Sequence, residues 1–137
     1  MKLSARNQIA GKIISIEDGA VNGIVKLEFE GGDISGTISM ASIKELGLAP
    51  GKDAIAVIKA TEVMIGLGNL TLSARNKIKG TISDIQEGAV NAIITLNIAG
   101  DNHISSTISM AAVKELGLAV GMEALAVIKA SSVMFGV

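Results

Sequence analysis

Arginine, lysine and small hydroxyl side chains recur at matched positions in the two halves of this chain of 137 residues. The recurring pairs are Arg6 and Arg75, Lys59 and Lys129, Ser4 and Ser73, Thr37 and Thr107, and Ser39 and Ser109. Guanidinium, ammonium and hydroxyl groups all donate hydrogen bonds, and the first two also carry positive charge. Such donors, together with the free N–H groups of a helix start, favour a small oxyanion as ligand.

Each of these residues alone has a simpler interpretation. Arg6 alone would be a surface residue, and Ser39 alone would be the N-cap of a helix. Lys59 follows the apolar run Ala54–Ile58, so we expect it to be partly buried and therefore paired or bound to a ligand. The alternative for Lys59 is a strand-end lysine whose ammonium group reaches water. The three donors taken together favour the anion site.

The residue types that catalysis or cation binding requires are sparse. The chain has no cysteine and one histidine, His103, which aligns with Asp33 of the first half and lies in a turn. A solvated turn residue is the favoured interpretation of His103 over a catalytic base. Neither a phosphate-binding glycine loop nor an acidic cluster for a divalent metal is present. We therefore predict that the protein is not an enzyme and has no residues that ligate a metal cation directly.

Four sequence blocks occur twice. Ser-Ala-Arg-Asn, Gly-Ala-Val-Asn, Thr-Ile-Ser-Met-Ala and Val-Ile-Lys-Ala recur at an offset of 69 residues, which becomes 70 after an insertion near Asp101 and Asn102. A period of this length predicts two copies of one small domain, residues 1–68 and 69–137. The joining segment Gly66–Asn69 is short, so the two modules should pack together.

Each copy is predicted to contain five strands and one helix. Alternating and β-branched apolar residues predict strands at 9–16, 21–29, 34–38, 54–60 and 63–65, and at 78–85, 90–98, 104–108, 124–130 and 133–135. Helices are predicted at 40–46 and 110–116, with Ser39 as N-cap and Gly47 as C-terminal glycine of the first. This order predicts an all-β fold of two tandem five-stranded OB-type barrels, each with one short helix.

Composition restricts the partners that the chain could have. Hydrophobic residues make up 49% and charged residues 18%, which is more apolar surface than two small modules can bury, so we expect an obligate homo-oligomer. A net charge of −1 and only two aromatic residues argue against nucleic acid. Charged residues interrupt every apolar run, so no membrane partner is expected. The polar N-terminal segment lacks the pattern of a signal peptide, and we expect a cytoplasmic protein.

The repeated blocks, in their order, resemble the Mop or molbindin family of molybdate-binding modules, which is related to TOBE domains. The blocks that show this resemblance are Ser-Ala-Arg-Asn at the start, Gly-Ala-Val-Asn at the first turn, Thr-Ile-Ser at the helix start and Val-Ile-Lys-Ala before the last strand. The resemblance covers both halves and is that of a di-Mop protein. It implies OB-type barrels assembled about a threefold axis, with molybdate or tungstate bound at module and subunit interfaces for storage.

The resemblance also implies which residues bind the oxyanion. One module would supply Ser4, Ala5 and Arg6, and a neighbour Ser39, Ser42, Lys59 and Ala60. The counterparts in the second copy are Ser73, Ala74, Arg75, Ser109, Lys129 and Ala130, whereas Ala112 replaces Ser42 and removes one hydroxyl. A second class of site near the threefold axis could use the turns Gly19, Ala20, Val21, Asn22 and Gly88, Ala89, Val90, Asn91. Tight turns that need glycine and asparagine are an equal alternative there.

Three alternative functions stay open from the sequence. The chain could be a regulatory, anion-sensing partner of a molybdate transporter or regulator, acting through another protein. It could bind molybdopterin, although stacking surfaces are scarce. It could also be an OB module for nucleic acid, which its charge and composition disfavour.

Overall fold

The computed structural model describes residues 2–137 and consists mainly of antiparallel strands. The first repeat contains β1 (Asn7–Glu17), β2 (Asn22–Phe29), β3 (Gly32–Ser39), α1 (Met40–Leu46), β4 (Asp53–Ile58) and β5 (Met64–Gly66). The second contains β6 (Asn76–Glu87), β7 (Asn91–Ile98), β8 (Asn102–Ser109), α2 (Met110–Leu116), β9 (Glu123–Ile128) and β10 (Met134–Gly136). Short 3-10 turns, Ala60–Glu62 and Ala130–Ser132, precede β5 and β10.

Both helices begin and end at the predicted residues because their caps are encoded locally. The Ser39 hydroxyl accepts a hydrogen bond from the Ser42 N–H, and Ser109 does the same for Ala112. Gly47 and Gly117 close the helices in the left-handed conformation, with φ of 63° and 62°. The fourth strand of each copy is shorter than predicted, since the residue after Lys59 or Lys129 enters a 3-10 turn.

The last strand of each repeat belongs to the sheet of the other repeat. The first sheet has the order β10-β4-β1-β2-β3, and the second has the order β5-β9-β6-β7-β8. Phe135 of β10 pairs with Ala56, and Ile65 of β5 pairs with Ala126. The predicted all-β fold of two five-stranded OB-type units with short helices is confirmed. The division into modules 1–68 and 69–137 stays a prediction, and the strand pairing links the two halves across it.

The exchanged strands meet side chains of complementary size. Phe135 packs directly over Gly36, where a Cβ atom would lie 2.5 Å from the ring. The corresponding positions of the second sheet hold the smaller Ile65 and the larger Ser106, whose hydroxyl donates to the Val63 carbonyl. The first sheet therefore combines the large Phe135 ring with a glycine, and the second sheet has the smaller Ile65 and a serine at the equivalent positions.

The inserted residue of the second repeat is accommodated in a hairpin turn. Phe29 pairs with Gly32 across the first hairpin, whereas Ile98 pairs with Asn102 across the second, which is one residue longer. The extra residue, Asp101, has a φ of 57°. The insertion thus changes the turn and leaves the strand register intact.

The core follows the alternation along the strands. In β2 the side chains of Val25, Leu27 and Phe29 are buried, while Glu28 is exposed and Lys26 is half-buried. Phe135, the second of the two aromatic residues, is also buried. Because neither ring is presented to solvent, the surface lacks an aromatic platform on which bases could stack. No helix within residues 2–137 combines the length and apolar character needed to cross a membrane.

Candidate anion-binding site

One surface cavity of about 390 Å³ gathers the predicted donors of the first repeat. Its wall includes Ser4, Ala5, Arg6, Lys59 and Ala60. Five of the seven site residues predicted for the first repeat therefore lie together around one space. The cavity is larger than a tetrahedral oxyanion, so it has room for the ion and for side chains that cover the ion.

Strand pairing explains why Arg6 and Lys59 meet. Asn7, the first residue of β1, pairs with Ile58, the last residue of β4. Arg6 precedes the one and Lys59 follows the other, so the antiparallel pairing places both at the same end of the first sheet. The resemblance implied that these two residues come from different modules, whereas the structure places them side by side within one repeat.

The second repeat completes the wall of this cavity. Strand β8 packs against the turn Ala60–Glu62 and contributes Thr107, and β10 contributes Met134. Thr61 adds another hydroxyl. The sequence signal for Thr107 was its recurrence as a hydroxyl in both halves, but the sequence did not show that it crosses to the site of the other repeat.

The charge around the cavity suits an anion. Arg6 and Lys59 are its ionisable lining residues, and no acidic side chain lines it. Residues 2–137 contain one salt bridge, which joins Lys12 and Asp53 at 2.6 Å. No carboxylate therefore forms a salt bridge with Arg6 or Lys59. The hydrogen-bond donors of both side chains are therefore available to a ligand.

The expectation that Lys59 is partly buried is wrong for this chain, because Lys59 is exposed. Ile58 and Ala60 on either side are buried, but Lys59 lies where β4 ends and its side chain leaves the sheet. Its ammonium group therefore reaches solvent, as the alternative interpretation proposed. Lys129 is exposed in the same way.

Ser39 and Ser42 lie together, but apart from this cavity. They lie at the start of α1, where the Ser39 hydroxyl donates to the Ser42 hydroxyl at 2.9 Å. Ser109 caps α2 in the same manner, with Ala112 in place of the second hydroxyl. One chain thus holds two separate groups of predicted residues, the cavity donors and the helix-start hydroxyls.

The second repeat places its own donors in corresponding positions. Asn76 pairs with Ile128, which brings Arg75 beside Lys129 as in the first repeat. Strand β3, which carries Thr37, packs against the turn Ala130–Ser132. Ser73 and Ala74 precede Arg75, and Ala130 follows Lys129. The second repeat therefore brings the same residue types to one end of its own sheet.

A larger cavity, of about 980 Å³, is lined mainly by acidic instead of basic side chains. Glu28, Glu30, Asp33 and Asp53 line it, and its lysine, Lys12, is paired with Asp53. An oxyanion would be repelled there, so charge favours the smaller cavity over the larger one.

The turns proposed as a second class of site are exposed and tightly built. A Cβ atom on Gly19 would clash with the Asn22 carbonyl oxygen, and one on Gly88 would lie 2.6 Å from that of Asn91. The turn geometry alone accounts for these glycines. A binding role for the two turns stays a prediction.

His103 is an exposed residue of β8, next to the hairpin turn, and its Nδ1 lies 2.6 Å from the Asn97 side-chain oxygen. Residues 2–137 contain no group of three or more His, Cys, Asp or Glu side chains that could hold a metal ion.

Comparison with known proteins gives the family. The TOBE domain family matches residues 3–65 and 72–135. The chain is 38% identical over 140 residues to the molybdenum transport protein ModE of Herbaspirillum seropedicae, covering all of this chain and 52% of that protein. It is 56% identical over 68 residues to a probable molybdenum-pterin-binding protein of Haemophilus influenzae, covering 49% of this chain and 99% of that protein.

A solved structure matches the whole architecture. The crystal structure of the cytoplasmic molybdate-binding protein ModG with molybdate bound has a TM-score of 0.97 and 42% sequence identity, and the match covers 100% of this chain and 99% of that one. The chain spans about half the length of the ModE relatives that it matches. With two matched domains in tandem and relatives named for molybdenum-pterin binding, the chain belongs to the TOBE domain family as a di-Mop protein.

Proposed function

We propose that the protein binds molybdate or tungstate without catalysing a reaction, and that it stores the oxyanion. The observation that carries this proposal is the cavity in which Arg6 and Lys59 converge with Ser4 and Thr107 and no acidic residue. The 42% identity and near-complete overlap with a molybdate-bound structure support the choice of ligand.

The binding chemistry follows from the donors. Molybdate is a tetrahedral dianion whose oxygen atoms accept hydrogen bonds, and Arg and Lys supply charge-assisted ones. Hydroxyl groups such as those of Ser4 and Thr107 replace further water molecules. Soft sulfur ligands are not required, which agrees with a chain that has no cysteine.

We propose that neighbouring chains cover the cavity in a homo-oligomer, a trimer by family resemblance. Leu3 and Met134 border the cavity and are about half exposed, at 50% and 45%. A neighbouring chain would bury these apolar side chains, remove water from Arg6 and Lys59, and strengthen their bonds to the anion. The helix-start hydroxyls of Ser39, Ser42 and Ser109 would reach the anion from that neighbour. A cytoplasmic location, like that of ModG, belongs to the same proposal.

A regulatory, anion-sensing role is the second candidate, because the chain matches half of each ModE relative. In that case the same sites would signal to another protein. Molybdopterin binding is less well supported, since both phenylalanines are buried and cannot stack on a pterin ring.

Calorimetric titration with molybdate, tungstate and sulfate tests the proposal. Lys59→Met should weaken molybdate binding by roughly tenfold or more at the sites that contain Lys59, because a charge-assisted hydrogen bond is lost. Lys44→Met is the matched control: Lys44 is exposed on α1, outside the cavity, and its loss should leave affinity unchanged.

Two results would contradict different parts of the proposal. Absence of both binding heat and thermal stabilisation by molybdate and tungstate would reject the ligand, since a bound ligand raises the melting temperature by mass action. Binding that Lys59→Met leaves intact would reject the cavity as the location.

A further inference from the structure

Two buried asparagines connect the repeats across the centre of the molecule. Asn7 and Asn76 are 1% and 4% exposed, and each follows the arginine of its repeat. The Asn7 side chain donates from Nδ2 to the Ser105 carbonyl at 2.8 Å and accepts from the Ser105 N–H at 2.7 Å. Asn76 makes the equivalent pair with Ser35, with both distances 2.8 Å.

Each amide side chain forms the two hydrogen bonds that a neighbouring strand would form with the backbone of an edge strand. Ser105 and Ser35 lie on β8 and β3, which are edge strands of their sheets. An edge strand presents unpaired N–H and C=O groups, and a carboxamide can satisfy one of each simultaneously. The backbone of Asn7 meanwhile pairs with Ile58 of its own sheet. One residue thus fixes two sheets relative to each other.

The position of this contact relates it to the anion cavity. Asn7 directly follows Arg6, and it is paired with the residue that precedes Lys59. Ser105 lies two residues before Thr107, so their side chains share one face of β8. Arg6 and Lys59 form one wall of the cavity and Thr107 the other, and the Asn7–Ser105 pair joins the two walls.

We propose that Asn7 and Asn76 are positioning residues of the two anion sites, each holding the Arg–Lys wall of one repeat against the threonine wall of the other. This proposal rests on the proposed function. It assigns a role to the fourth residue of the repeated Ser-Ala-Arg-Asn block, since Asn7 does not itself line the cavity.

Replacing the Asn7 amide by a carboxyl group makes the positioning role measurable, because anion affinity should then depend on pH. In Asn7→Asp the protonated carboxyl can still donate to the Ser105 carbonyl and accept from its N–H. The ionised carboxylate cannot donate, and it would face that carbonyl oxygen at close range. Burial raises the pKa of the introduced carboxyl above its usual range, because the charged form is poorly solvated there.

The test compares molybdate affinity at pH 6 and pH 8 by calorimetry. We expect Asn7→Asp to bind within about threefold of wild type at pH 6 and roughly tenfold more weakly at pH 8, since a displaced donor wall loses about one charge-assisted bond. Asn69→Asp, in the exposed segment between the repeats, is the control and should follow wild type at both values.

Site selectivity separates positioning from general destabilisation. In a Lys129→Met background, where the intact sites contain Lys59, Asn7→Asp should weaken binding at pH 8 more than Asn76→Asp does. In a Lys59→Met background the order should reverse. Thermal unfolding recorded at both pH values shows whether each variant is folded, and Asn7→Ala replaces Asn7→Asp if the acid does not fold at pH 8.

An affinity loss that is equal at both pH values, or equal for the two asparagines in either background, would overturn the positioning role. Unchanged affinity in folded Asn7→Asp and Asn7→Ala would overturn it as well. Failure of the proposed function is distinguishable, because wild type itself would then show no binding heat.

Discussion

Gly31 and Gly100 allow the hairpin turns of the two sheets to approach each other closely. A Cβ atom on Gly31 would lie 2.5 Å from the Ala99 Cβ, and one on Gly100 would clash with the Glu30 carbonyl oxygen. Both residues also have positive φ, at 86° and 73°. The absence of a side chain at each glycine therefore permits both the left-handed backbone conformation and the close contact between the sheets.

Gly31→Ala should destabilise the protein more than Gly51→Ala. Gly51 has a similar φ of 91°, but a Cβ atom added there would have no neighbouring atom within 4 Å, so it reports the conformational cost alone. That cost is roughly 1–2 kcal/mol for alanine in the left-handed region. Overpacking against Ala99 should add about 1–3 kcal/mol at Gly31.

Urea unfolding of both glycine variants measures the difference. Equal losses of unfolding free energy would show that the turns separate without cost and that their contact contributes nothing.

The residues of the anion site could be predicted only in part from the sequence. Arg6 and Lys59 recur in both halves, and their recurrence singles them out. Asn7 recurs too, but its partner Ser105 is 98 positions away in the chain and bonds through its backbone, which every residue possesses. A contact with the backbone does not depend on the type of the partner residue, so the sequence does not reveal it.

At the level of elements, local signals predicted the helices and most strands, whereas the exchange of β5 and β10 was not predicted. The segments Val-Met-Ile-Gly and Val-Met-Phe-Gly differ at one position, so their local pattern suits either sheet. What differs is the residue at the equivalent position of the other edge strand, Gly36 in β3 or Ser106 in β8, and which of them each last strand meets is decided only in the folded chain.

The size match between strands should appear as strong coupling in a double-mutant cycle. Phe135→Ile leaves a cavity over Gly36, and Gly36→Ser clashes with the ring, which a Cβ would approach to 2.5 Å. Each change should cost roughly 1–3 kcal/mol. The double variant recreates the Ile65 and Ser106 combination of the second sheet and should recover most of that loss.

Denaturant unfolding of wild type, both single variants and the double variant gives the coupling energy. Additive losses would show that the two positions do not select the strand that each sheet accepts.

On the scale of the whole molecule, six of the ten large apolar side chains exposed within residues 2–137 form matched pairs. Three pairs occupy matched positions with nearly equal exposure: Leu3 and Leu72 at 50% and 51%, Val21 and Val90 at 74% each, and Met64 and Met134 at 46% and 45%. Val120, at 64%, is unmatched because Pro50 stands at its position in the first repeat. We propose that these matched pairs lie at contacts between chains, because an assembly would bury apolar side chains that both repeats otherwise expose to water.

Leu3→Ser combined with Leu72→Ser should therefore weaken chain association, whereas Val120→Ser should not. Leu3 and Leu72 are half exposed, so burying the rest of each would contribute about 0.8–1.5 kcal/mol, and losing two per chain should raise the dissociation constant by roughly tenfold to a hundredfold. Sedimentation velocity across a concentration series measures the shift, and circular dichroism verifies that each variant is folded. Because Leu3 borders the anion cavity, added molybdate should partly restore association if the anion bridges chains. A folded wild-type monomer at micromolar concentration, or equal effects of the leucine and valine changes, would contradict the assignment of these surfaces.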